Sequence, residues 1–79
     1  MQLIEVISGK KVRVKAFHDG KGLAQKLRQI GIMPGDCALV LRHAPFNGPI
    51  LIEVGGRSIA LGRRIASKIE VEDSECDSL

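Results

Sequence analysis

The chain has 79 residues, 44% of them apolar, with no Trp, no Tyr and only Phe17 and Phe46 as aromatics. This is one domain's worth of sequence, too apolar to be disordered. No apolar run is long enough for a helix to span a bilayer. The formal charge of +3 conceals an asymmetry: all twelve Lys and Arg but only four acids fall in residues 1–69, a balance of +8, whereas residues 70–79 hold five acids and no base. A basic body invites an anionic partner such as a phosphate-rich surface, an anionic membrane leaflet or an acidic protein face. Spread over a whole domain, the same charge also serves as an ordinary solvated surface.

Cys37 and Cys76 are too few and too differently placed for a disulfide framework or a zinc site. Residues 1–8 have neither the charged nor the apolar region of a leader. The expected setting is therefore cytoplasmic and reducing. With so few aromatics the core must come from Ile, Val and Leu, which favours strands.

Residues 1–7 mix Leu3, Ile4, Val6 and Ile7 with polar residues, as an edge strand or a packed arm would. Ser8-Gly9 is a turn. Residues 11–17 then alternate, with Val12, Val14 and Ala16 on one face and Lys11, Arg13 and Lys15 on the other, the pattern of a half-buried strand. Gly20 and Gly22 precede a helix, but neither the Walker pattern nor G-x-G-x-x-G is present. The helix places Leu23, Leu27 and Ile30 on one face. Asp19 suits its N-cap, and Gly31 suits the left-handed residue past its end. Pro34-Gly35 fits the centre of a type II turn.

Residues 37–43, Cys-Ala-Leu-Val-Leu-Arg-His, run nearly continuously apolar, so alternation leaves two options: Ala38 and Val40 inward, or Leu39 and Leu41 inward. Either way the strand has apolar surface to spare, for burial on both faces or for docking. Residues 44–49 form a loop stiffened by two prolines. Asn47-Gly48 favours a tight reversal, and Phe46 sits at the tip as an anchor or as a lid on the core. Residues 50–54, Gly55-Gly56 and residues 57–61 form a hairpin. Residues 62–67 form a helical turn with Arg63 and Arg64 exposed, and residues 68–71 a last strand. The single domain is expected to span 1–71, with 72–79 an acidic, disordered tail.

This order of elements predicts a mainly β fold: a small SH3-like barrel of five to six short strands, one inserted α-helix and a short helical turn before the last strand. No Ser/His/Asp, Cys/His or paired-carboxylate arrangement suggests catalysis. His18 and His43 stand far apart in sequence without a third ligand, which argues against a metal site.

The sequence resembles the ferrous iron transport protein A family, FeoA, from about Lys11 to Val71. The resemblance is carried by Gly22-Leu23, Lys26-Leu27 with Ile30-Gly31-Ile32, Pro34-Gly35, Ala44-Pro45 with Gly48-Pro49, and Ile59-Ala60-Leu61 followed by Arg63, Ala66 and Ile69. It implies a non-enzymatic, cofactor-free accessory protein of bacterial ferrous iron uptake. The implied partner is FeoB, a membrane transporter with a cytosolic G domain, on which it would dock and whose GTPase or transport activity it would modulate. Contact with the membrane would run only through that partner, iron would be moved without being held, and no nucleic acid is expected.

The residues expected at the partner surface are Leu23, Leu27, Met33, Leu39, Phe46, Arg63 and Arg64. An exposed edge at Leu39 could also pair with a second copy. The alternatives are a basic barrel that binds nucleic acid and an interaction domain like the SH3-like domain of iron-dependent repressors.

Overall fold

A computed structural model describes residues 1–18 and 20–74. Five strands form one antiparallel sheet: β1 (Lys11–Phe17), β2 (Cys37–His43), β3 (Ile50–Val54), β4 (Arg57–Leu61) and β5 (Ile69–Asp73), in the order β4-β3-β2-β1-β5. An α-helix, α1 (Gly20–Ile30), is inserted after β1, and a one-turn helix, α2 (Arg63–Ala66), precedes β5. The elements fall where period-two and helical spacing place them. The inward set, with Val12, Val14, Ile50, Ile52, Leu61, Ile69 and Val71 all at 2% exposure or less, is aliphatic throughout.

The helix ends as its sequence dictates. Gly31 takes φ +105°, and the N–H groups of Gly31 and Ile32 both donate to the Leu27 carbonyl at 2.9 and 2.8 Å. This closes the last turn with a left-handed residue and drives Ile32 into the core. The following turn is of type II: Gly35 has φ +96°, the Asp36 N–H donates to the Met33 carbonyl at 3.0 Å, and the Asp36 carboxylate accepts from the Met33 N–H at 2.9 Å. The Asp19 cap falls outside the described residues.

Strand β2 lies between β3 and β1, and its register decides the open question: Ala38 stands opposite the inward Val12 and Val54, and Val40 opposite Ile52. Ala38 and Val40 are buried, and Leu39 and Leu41 are half-buried on the other face. Because both of its edges are paired, β2 offers no edge to a second copy, contrary to the expectation at Leu39. The N-terminal segment is an arm rather than a strand. A 3-10 turn over Leu3–Glu5 buries Leu3, Val6 is buried beside it, and the arm meets β5 through the Gln2–Glu70 bridge and the Val71 N–H, which donates to the Met1 carbonyl at 2.7 Å.

The last strand also departs from expectation. Glu72 and Asp73 belong to β5, not to a tail: Arg13 stands opposite Glu72 and Val12 opposite Asp73, and Lys10 Nζ lies 3.0 Å from Asp73. The acids lie beside the basic strand, where opposite charges favour pairing. The rest of the acidic stretch, from residue 75, falls outside the described residues.

Candidate docking surface

Strand β2 connects two differently built ends of the sheet, separated by about 20 Å at strand rise. At its Cys37 end, the helix stop, the 33–36 turn and the Gly55-Gly56 hairpin surround an open groove of ≈ 700 Å³. Ala38, Leu39 and Val54 are among its apolar lining, and Lys11, Asp36, Glu53 and Arg57 give it charges of both signs. Gly55 and Gly56 have φ +58° and +80°, a type I′ turn that only glycine and a few small polar residues adopt easily. Arg57 lies across Gly31 so closely that a Cβ at Gly31 would collide with its guanidinium. The cation thus stands at the negative end of the α1 dipole. Cys37 is half-buried at the groove; Cys76 lies outside the described residues.

At the His43 end the chain reverses through Phe46 and Asn47, both with positive φ (59° and 58°), and the Gly48 N–H donates to the Pro45 carbonyl at 3.1 Å. The reversal is therefore one residue earlier than Asn47-Gly48. Gly48 is required by space: a Cβ there would lie 2.9 Å from the Ala44 Cβ and 3.0 Å from the Pro45 carbonyl oxygen. Phe46 is 99% exposed, which rules out the lid. The left-handed conformation costs a non-glycine residue roughly 1–2 kcal/mol, and the apolar ring gains no contact in return.

The expected partner residues do not form one surface. Leu23 (8% exposed) and Leu27 (0%) are buried core residues; their helical spacing marks the inward face, so they are corrected from docking to packing. Met33 is exposed beyond the helix stop and Leu39 lines the groove. Phe46, Arg63 and Arg64 belong to the opposite end, because Ile50 pairs with both His43 and Leu61, two residues before α2; Arg64 is exposed as expected, whereas Arg63 is half-buried. Sequence reasoning missed Lys11 and Arg57 in the groove, which only the fold brings together, and Ile7, which is 71% exposed. Phe17 packs against the core, leaving Phe46 as the one exposed ring for base stacking.

Each histidine has its Nε2 within hydrogen-bond reach of a neighbour. His43 Nε2 lies 2.7 Å from the Val6 carbonyl oxygen, and His18 Nε2 lies 3.3 Å from Glu70. Glu70 also pairs with the terminal ammonium of Met1. That ammonium's hydrogen bond, with a smaller contribution from His18, holds the Glu70 carboxyl below its ordinary value against a partial desolvation. Among the described residues no three His, Cys, Asp or Glu side chains gather as a metal site would require. No helix of the described residues is long and apolar enough to cross a membrane.

Residues 1–73, nearly the whole chain, match the profile of the FeoA domain. The chain belongs to the FeoA family. It is 43% identical over 67 residues to a protein of Methanocaldococcus jannaschii named as a candidate Fe(2+) transport protein A, an alignment covering 85% of this chain and 79% of that one. The solution structure of iron(II) transport protein A from Clostridium thermocellum superposes with a TM-score of 0.86 at 34% identity, covering 92% of this chain but 45% of that one. The zinc complex of Stenotrophomonas maltophilia FeoA, described as a procaryotic SH3 domain protein, superposes with a TM-score of 0.76 at 25% identity, covering 91% and 89%. The mainly β, SH3-like fold expected from the element order is thereby that of the FeoA proteins.

Proposed function

We propose that this FeoA protein is an accessory component of ferrous iron transport that docks on the cytosolic part of a FeoB-type transporter and modulates its GTPase or transport activity. The family supports the transport role. The groove at the Cys37 end supports docking: it is the place where a half-buried leucine, two cations and two carboxylates line one concavity beside a capped helix and two fixed turns. Such a site suits a peptide loop whose apolar side chain settles on Leu39 and whose charges meet Lys11, Arg57, Asp36 and Glu53. Nothing in it resembles a nucleophile with its base or a pair of catalytic carboxylates, so the protein acts by binding.

The test is an NMR titration of the isotope-labelled chain with the transporter's G domain, and then with the whole transporter in nanodiscs, read beside GTP turnover. The expected shifts cluster at Leu39, Val54, Gly56 and Arg57, and Arg57→Glu weakens them about tenfold or more. Flat spectra and unchanged turnover in both formats would sink the proposal.

A further inference from the structure

The Phe46 end of the molecule is not used by the groove, and its construction is unusual. Four segments meet there. The Gly9 N–H donates to the Val40 carbonyl at 2.7 Å, and the Val6 carbonyl oxygen lies 2.7 Å from His43 Nε2, so the strongly exposed Ile7 stands beside the outgoing end of β2. Arg42 is exposed on β2 at the same level. The Ala44 N–H donates to the Pro49 carbonyl and closes the loop that carries Phe46. Ile50 pairs with Leu61, so Arg63 and Arg64 of α2 emerge at this end, where α2 also packs against the N-terminal 3-10 turn.

Two isolated apolar tips thus project from a surface bearing three arginines, and none of the three forms an ion pair among the described residues. The carboxylates nearby are engaged: Glu5 accepts from the Gln2 N–H at 2.7 Å, and Asp73 pairs with Lys10.

We propose that this end is a peripheral membrane contact, with Phe46 and Ile7 entering the headgroup layer of an anionic bilayer while Arg42, Arg63 and Arg64 meet lipid phosphates. The chemistry selects a bilayer over other anions. A nucleic acid would need rings lying flat as stacking platforms, and Phe46 stands clear of the surface. A protein partner would draw on a contiguous apolar patch, whereas the exposed large hydrophobics here are two separate side chains, Ile7 and Phe46. An interface of acyl chains beneath phosphates fits apolar tips flanked by cations. Phe46 is 99% exposed in the free chain, so the ring is available to the bilayer without rearrangement of the loop. The inference departs from the expectation that the protein reaches the membrane only through its transporter, and it does not depend on the groove.

The test is flotation of the full chain with vesicles of phosphatidylcholine alone and with one-third phosphatidylglycerol, at low and physiological salt. Binding is expected only to the anionic vesicles, weakening as salt rises. Phe46→Ser is expected to lower it about tenfold, by the apolar area lost from the interface. Arg63→Gln with Arg64→Gln is expected to cost about fivefold per charge removed. All three positions lie outside the buried core, so a normal amide spectrum of each variant will separate lost contact from lost folding.

The groove variant Arg57→Glu is expected to bind vesicles undiminished apart from its charge, so failure of the docking reading would leave this one standing. The proposal is overturned by absence of binding to anionic vesicles at low salt, or by binding indifferent to Phe46→Ser. It is equally overturned if Phe46→Ser abolishes contact with the transporter's G domain and leaves vesicle binding intact.

Discussion

At the scale of single residues, the informative positions are those where a side chain and its backbone disagree. Phe46 occupies the first central place of a type I′ turn with φ 59°, where Asn or Gly is favoured, and it is 99% exposed. Phe46→Gly should therefore raise stability by about 0.5–1 kcal/mol, since relief of strain outweighs the added chain freedom; urea denaturation followed by circular dichroism will show it. If the variant is instead less stable, the turn is not strained. Gly31 is the converse case, with residue and conformation in agreement. Gly31→Ala should lose about 1–2 kcal/mol, and combining it with Arg57→Ala should recover little, because the guanidinium can swing aside whereas φ +105° cannot change. Full recovery in the double variant would assign the loss to the clash.

At the scale of elements, legibility followed how local each determinant is. The helix with its stop, the type II turn and the β3–β4 hairpin were readable because spacing, glycine and proline act within a few residues. The facing of β2 was not, because it depends on its register with β1 and β3, which sets Ala38 and Val40 opposite inward residues far off in sequence. Leu23 and Leu27 were legible as one face, but the same spacing serves a core and a docking stripe, and burial decides for the core. Glu72 and Asp73 looked like tail on composition. Their place in β5 depends on Val12, Arg13 and Lys10, far back in the chain. The groove was illegible for the same reason: Gly31 after α1, Leu39 of β2 and Arg57 of β4 meet only in the folded sheet.

At the scale of the whole molecule, the arm and the last strand are tied by Glu70, which meets the Met1 ammonium and His18 at once. Its carboxyl is held below the ordinary value of 4.5, chiefly by the hydrogen bond from that ammonium. A depressed carboxyl contributes stability above its unfolded value and loses it as pH falls through the lower folded one. Stability should accordingly decline on acidification over that window, and Glu70→Gln should flatten this part of the decline while lowering stability at neutral pH; thermal melts across the acid range will read both. The aliphatic core has an optical corollary. A chain without indole or phenol is dark at tryptophan wavelengths, so Phe46→Trp would give the protein a single emitter at an almost fully exposed position. The colour of that emission would report directly whether the tip stands in water, among acyl chains or within another protein.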